Sequence, residues 1–320
     1  MSRYAYYDLL PPQAAMLDDV LSGLAASAKR IAPKYFYDAR GCELFDAICG
    51  LPEYYPTRTE LAIMAAHAPA MAAALGADCA LIEIGCGNSA KSRLLLDAAR
   101  PALFVAVDIA AEQLKTSCDA LSQAFPAMRT MALRADFEQA LTLPADAGLA
   151  RHRRALYFPG STIGNFTPAA AREFLARWAP LLGGGGCALI GVDLKKDAAR
   201  LDAAYNDAQG VTAEFNLNLL ARFNRELGAD FDTAEFRHRA FYDARAGRIE
   251  MHLESRRGQS VTIGGQRVRF DKGETMLTEI SCKYSIEEFR RLGRDAGYEP
   301  VHCWTDPDAL FAVHLFALPG

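Results

Sequence analysis

Leu81-Ile-Glu-Ile-Gly-Cys-Gly-Asn-Ser89 reads as a buried parallel strand that turns through two glycines into a helix, with an acid, Glu83, just before the turn. Glycine there lets the backbone approach a ligand closely, and the N-terminus of the helix favours a negative group. The next apolar strand, Leu103 to Val107, is closed by Asp108, 21 residues beyond Gly87. That spacing suits a carboxylate gripping a ribose at the end of a second strand. A third strand, Thr130 to Ala135, ends in the acid–aromatic pair Asp136-Phe137. Three such ends on one edge of a parallel sheet point to a nucleoside-containing ligand, with Asp136 accepting from an adenine amino group and Phe137 packing on the ring. Lys91 is placed to meet a ligand carboxylate; on sequence alone it reads equally well as a solvated helix lysine.

Outward from this loop the chain alternates strand and helix. Thr59 to Leu75 is helical, with Thr57 or Thr59 as its N-cap. Ser89 to Ala99 and Ala110 to Ala124 are the next helices, and Arg154 to Phe158 is a fourth strand. Thr167-Pro168 opens a helix to Ala179, and Cys187 to Val192 is the following strand. This alternation predicts an α/β fold with a Rossmann-like, doubly wound parallel sheet. After Asp193 the rhythm changes. Ala198 to Leu227 reads as one or two long helices. Strands follow at Arg237–Tyr242, Arg248–Glu254, Ser260–Ile263, Arg267–Phe270 and Thr275–Lys283, with a hairpin turn at Ile263-Gly-Gly-Gln266. Ser285 and Glu288 form a capping box for a helix to Ala296, and Phe311 to Leu318 supplies a last strand. The expected division is 60–196 for the ligand-binding sheet, with 1–59 and 197–320 forming a second α+β domain and a cleft for a substrate.

Composition narrows the partners. The chain has 320 residues, 51% of them hydrophobic, and a formal charge of −4. Its densest basic run is Arg151-His-Arg-Arg154, and nucleic-acid binding calls for a basic face, so no nucleic-acid partner is expected. No apolar run approaches a membrane span. Eight cysteines without a Cys-x-x-Cys pair, and scattered histidines, predict no metal site and a reduced, cytoplasmic protein. A monomer acting on a small molecule is the expectation.

The loop Gly160-Ser-Thr-Ile-Gly-Asn165 follows the fourth strand, where such folds place a substrate. Asn165 offers donors and acceptors for an amino acid's ammonium and carboxylate, and is also a residue that tolerates a left-handed turn. Tyr35-Phe-Tyr37 and Tyr54-Tyr55 can pack in a core or form an aromatic lid over an amine.

The form Glu-Ile-Gly-Cys-Gly resembles S-adenosylmethionine-dependent methyltransferases of class I more than dehydrogenases. Longer motifs carry a sharper resemblance: Lys34-Tyr-Phe-Tyr-Asp-Ala-Arg-Gly41, Leu51-Pro-Glu-Tyr-Tyr-Pro-Thr-Arg-Thr-Glu60, the Gly160–Asn165 loop, Tyr205-Asn-Asp-Ala-Gln-Gly-Val-Thr-Ala-Glu-Phe-Asn216 and Thr278-Glu-Ile-Ser-Cys-Lys-Tyr284. From about residue 30 onward the chain resembles the histidine-specific Nα-methyltransferases of ergothioneine biosynthesis. The resemblance implies three methyl transfers to the α-amino group of L-histidine, giving hercynine. It implies that Gly85, Lys91, Asp108, Asp136, Phe137 and Gly160 bind S-adenosylmethionine. It further implies that Tyr54, Asn165 and Tyr205 hold the amino acid's polar groups, with Tyr37 beside the amine. Met251 would line the ring pocket, and Glu279 and Ser281 would read the imidazole nitrogens. Cys86 and Asn88 depart from the usual small or hydroxylic residues of the glycine loop. Two alternatives remain: a methyltransferase for another free amino acid such as a tryptophan derivative, or a non-catalytic cofactor-binding protein.

Overall fold

The structure, a computed structural model, describes residues 4–10, 14–144 and 148–320. In chain order the strands are β1 (Ala5–Asp8), β2 (Ala80–Ile84), β3 (Leu103–Asp108), β4 (Arg129–Arg134), β5 (Arg154–Phe158) and β6 (Cys187–Asp193). They continue with β7 (Phe236–Asp243), β8 (Arg248–Ser255), β9 (Gln259–Ile263), β10 (Gln266–Phe270), β11 (Thr275–Cys282), β12 (Glu299–Thr305) and β13 (Phe311–Ala317). The helices are α1 (Ala14–Ala25), α2 (Ala39–Cys49), α3 (Tyr55–Leu75), α4 (Ala90–Ala99), α5 (Ala111–Ala124), α6 (Pro168–Leu182), α7 (Ala198–Tyr205), α8 (Val211–Leu227) and α9 (Ile286–Asp295).

Two compact units emerge. The first comprises 1–10, 56–195 and 282–320; the second comprises 11–55 and 196–281. The first is built on one eight-stranded sheet, in the order β1-β4-β3-β2-β5-β6-β13-β12. Strands β1 to β6 run parallel, and the central strands are buried on both faces, so they read as unbroken apolar runs. β13 closes the sheet antiparallel to β6, and β12 pairs antiparallel with β13.

The chain division differs from the expected one. The C-terminal segment returns to the first unit, because β13 finds its hydrogen-bonding edge on β6 over seven register pairs. A buried ion pair fixes the return: Lys283 Nζ lies 2.8 Å from Asp193 Oδ2, each side chain 1% exposed. Helix α3 also starts earlier than predicted, at Tyr55, with Pro56 in its first turn, where a missing N–H costs nothing. Thr57 and Thr59 therefore lie inside the helix and not at its N-cap. The other local signals hold: Thr167 caps α6, Ser285 and Glu288 form the capping box of α9, and β9 and β10 form the hairpin.

The second unit carries a three-stranded sheet ordered β11-β8-β7, the β9–β10 hairpin and helices α7 and α8. Phe36 stacks on Phe215 of α8 at 4.5 Å, tying the 33–36 turn to that helix. Among the described residues no helix is long and apolar enough to cross a membrane.

Candidate active site

In the first unit the predicted cofactor residues gather at the carboxyl ends of β2 to β5. The backbone after β2 turns through left-handed conformations at Gly85 (φ 69°), Gly87 (φ 47°) and Ser89 (φ 58°). A Cβ built on Gly85 or Gly87 would meet no heavy atom within 4 Å, so these glycines answer to backbone conformation and leave their surface open to a ligand. Asp108, at the end of β3, accepts from the Gly87 amide at 3.3 Å and from the Ala110 amide at 3.0 Å. Burial raises its carboxyl above the ordinary range, while these amides pull the other way. Asp136 accepts from the Glu138 amide at 3.0 Å, and Phe137 lies edge-on to Phe158, with ring centroids 5.9 Å apart.

Lys91 is not a solvated surface lysine. Its ammonium is 2.7 Å from Glu60 Oε2, and that glutamate, on α3, is fully buried. Glu60 also accepts from the Gly160 amide, at 3.0 Å and 2.9 Å to its two oxygens. It lies so close against β6 that a Cβ on Gly191 would stand 2.1 Å from Oε1. One carboxylate thus ties together α3, α4, the loop after β5 and β6. Glu83, 1% exposed, accepts from the Ser92 hydroxyl at 2.8 Å through one oxygen; the other has no partner among the described residues. Burial pushes its carboxyl pKa up to about 8.

Asn165 ends a short 3-10 turn, Thr162–Asn165. The left-handed residues of this loop are Gly160 (φ 77°) and Ser161 (φ 58°), so backbone conformation does not account for the asparagine. The loop is pinned by the Ser161 hydroxyl, which accepts from the Asp193 amide at 2.9 Å.

The remaining predicted residues lie in the second unit. Tyr37, Phe45, Tyr54 and Tyr205 form a chain of edge-to-face rings, with centroid separations of 5.8, 6.4 and 6.3 Å. Phe215 closes on Tyr37 and Phe45 at 6.1 Å each. Burial holds the Tyr54 phenol well above its ordinary pKa, with further contributions from Tyr205, Cys49, Glu279 and Tyr37, so Glu279 lies within electrostatic reach of this cluster. Met251 on β8 is 1% exposed. Glu279 and Ser281 alternate on β11, so their Cβ atoms leave the same side of the strand. The two tyrosine pairs seen in the sequence each divide. Tyr35 donates to Asp19 at 2.7 Å and Tyr55 accepts from Lys196 at 2.6 Å, so these two serve packing, whereas Tyr37 and Tyr54 belong to the ring cluster.

Sequence reasoning passed over Phe45 and met Glu60 and Phe215 only as members of longer motifs. The signal for Glu60 was a lone glutamate on the buried side of an alanine-rich helix.

Comparison with known proteins identifies the kinship of this arrangement. A family model described as histidine-specific methyltransferase, SAM-dependent, matches residues 16–318. The chain is 45% identical over 307 residues to a histidine N-alpha-methyltransferase of Mycolicibacterium smegmatis, covering 94% of each protein. It is 43% identical over 309 residues to the protein of the same name from Mycobacterium tuberculosis, covering 95% of each. Among solved structures, a putative methyltransferase from Thermobifida fusca superposes with a TM-score of 0.50 at 14% identity, covering 93% of this chain and 98% of that one. That likeness supports the fold.

Proposed function

The chain belongs to the family of histidine-specific, S-adenosylmethionine-dependent methyltransferases, and from that premise we propose that it trimethylates the α-amino group of free L-histidine, the step that opens ergothioneine biosynthesis. The single observation that carries the substrate reading is the cluster of Tyr37, Phe45, Tyr54 and Tyr205 rings, with Glu279 within electrostatic reach of it. A carboxylate among rings suits a flat side chain with an N–H to donate, and Ser281 on the same strand suits the second ring nitrogen.

The cofactor residues fit a nucleoside sulfonium. Gly85 and Gly87 offer open backbone, Asp108 a fixed carboxylate for ribose hydroxyls, and Asp136 and Phe137 an acceptor and a ring for adenine. Lys91, held by Glu60, is the cation for the amino-acid carboxylate end. When bound, S-adenosylmethionine supplies an electrophilic methyl group on a positively charged sulfur.

The protein's residues then have three tasks. The first is alignment of a neutral amine in line with that methyl group, for which Asn165, Tyr54 and Tyr205 hold the amino and carboxylate groups; effective-molarity reasoning puts such alignment at roughly 7–11 kcal/mol. The second concerns protons. A free α-amino group has a pKa of about 8, so losing a proton before an attack is not severe. Tyr54 stays a neutral phenol because of its raised pKa; it serves as a hydrogen-bonding group and not as a base. Tyr37 orients the amine in the same way. The third is acceptance of the quaternary ammonium product, which donates no hydrogen bonds; the faces of Tyr37, Phe45 and Tyr54 suit it by cation–π attraction. The protein's eight free cysteines suit the reducing cytoplasm, and every residue assigned to cofactor and substrate comes from one chain, which suits a monomer. Glu279→Ala tests the reading by calorimetry: histidine affinity should collapse while S-adenosylhomocysteine still binds. Equal losses for both ligands would refute the assigned role.

A further inference from the structure

The residues assigned to histidine are linked through their backbones by a chain of polar groups. Asn216 on α8 is fully buried, as is Thr278, the neighbour of Glu279 on β11. The Asn216 carboxamide nitrogen donates to the His252 carbonyl at 3.0 Å. A carbonyl only accepts, so this contact fixes which end of the amide is nitrogen. The amide oxygen therefore faces Thr278 Oγ1, which donates to it at 2.8 Å and shares its hydrogen with the Met251 carbonyl at 3.0 Å.

The same nitrogen lies 2.9 Å from His238 Nδ1. Because the amide is the donor there, Nδ1 must present a lone pair and the ring proton must sit on Nε2. His238 Nε2 is 2.9 Å from the Tyr205 carbonyl, which can only accept, so the tautomer deduced from one side satisfies the other. Burial lowers the His238 pKa, which favours this neutral form. The relay thus joins the C-terminal end of α7, where Tyr205 lies, to β7, α8, β8 at Met251 and β11 beside Glu279.

We infer that His238, with Asn216 and Thr278, is a positioning residue for the substrate: the relay sets Tyr205, Met251 and Glu279 in mutual register without contacting the ligand. The inference rests on the reading that these three residues bind histidine. It also accounts for a fully buried asparagine and a half-buried histidine beside it, where an unsatisfied polar group would be costly and a satisfied network specifies one arrangement.

The test uses the full chain with L-histidine and S-adenosylhomocysteine as probes. Thr278→Val keeps the shape and removes the hydroxyl; Thr278→Ser keeps the hydroxyl; His238→Phe keeps a ring and removes both contacts. Expected are Kd and KM values for histidine raised about tenfold in Thr278→Val and His238→Phe, the scale of one lost hydrogen bond. In the same variants S-adenosylhomocysteine affinity should stay within about twofold and kcat at saturating histidine should change little, while Thr278→Ser restores wild-type affinity. Tyr205→Phe serves as the control. If it weakens histidine binding and folded His238→Phe does not, the relay proposal fails and the site reading stands. If Tyr205→Phe also leaves histidine affinity intact, both fail. Nitrogen-15 spectra of the wild-type imidazoles give an answer independent of folding: His238 should show the neutral Nε2–H tautomer at pH 7, and an Nδ1–H tautomer or an imidazolium would overturn the relay.

Discussion

The Glu60–Lys91 pair makes an asymmetric prediction, because its two ends differ in access to water. The Glu60 side chain is 1% exposed and that of Lys91 21%. Breaking a buried pair by removing one partner costs about 3–5 kcal/mol, most of it the penalty on the charge left behind. Lys91→Met leaves the carboxylate, which has no route to solvent and keeps, among the described residues, only the Gly160 amide; the full range, about 3–5 kcal/mol, applies to it. Glu60→Gln leaves the ammonium, which can swing outward, so a cost of about 2 kcal/mol is expected. For a unit of this size, each kcal/mol shifts Tm by roughly 2–4 °C. The assay is thermal and urea unfolding of both single variants and of Glu60→Gln/Lys91→Met without ligand. The double variant should be more stable than the sum of the two losses by at least about 1 kcal/mol, since neither charge remains to be stranded. Additive losses, or a larger loss from Glu60→Gln than from Lys91→Met, would refute the claim that a buried carboxylate holds this lysine.

Further outcomes follow from other buried groups. Lys283→Met should cost about 3–5 kcal/mol by stranding Asp193 where the chain returns to the first sheet, and Asp193→Asn in the same chain should recover part of it; a neutral Lys283→Met in urea unfolding would contradict this. Gly191→Ala should destabilise by about 1–3 kcal/mol, because its Cβ would press on the Glu60 carboxylate; an unchanged Tm would show that the helix yields freely. Glu83 holds its proton in the folded state up to a pKa of about 8, against an ordinary value near 4.5. Its stabilising contribution is thus complete below about pH 4.5 and is lost as the pH rises through 8. Glu83→Gln, which mimics the protonated form, should gain in Tm relative to the wild type across that window; parallel melting curves from pH 5 to 8.5 would show that the carboxyl is ionised throughout.

Much of the fold was legible because its signals are local. The Glu83-Ile-Gly-Cys-Gly87 turn, the Thr167-Pro168 helix start, the Ser285–Glu288 capping box and the Gly264-Gly265 hairpin each state their geometry within a few residues. The return of β13 to β6 was not legible, since pairing across more than a hundred residues leaves no periodicity to read. β1 and β12 are edge strands with mostly exposed or half-exposed side chains and no apolar alternation, and β12 carries Pro300 and a register shift after it. The start of α3 was misplaced because two threonines imitate a cap, while Pro56 was the better marker of the first turn. At the candidate site, motifs assigned roles to Tyr54, Asn165 and Glu279; they also contain Glu60, Asn216 and Thr278 but do not show that these hold the site residues. Glu60 belongs to Lys91 and Gly160 only in three dimensions; Asn216 and Thr278 stand in separate motifs, His238 in none, and no spacing connects the three.

The central claim is a reaction, and mass spectrometry of its product tests it most directly. L-histidine incubated with the protein and S-adenosylmethionine, beside tryptophan and other free amino acids, should gain three methyl groups on the α-nitrogen while the others remain unmodified. No methylated histidine, with methyl transfer to a different amine, would leave the fold and cofactor standing and contradict the substrate assigned to Glu279 and Ser281.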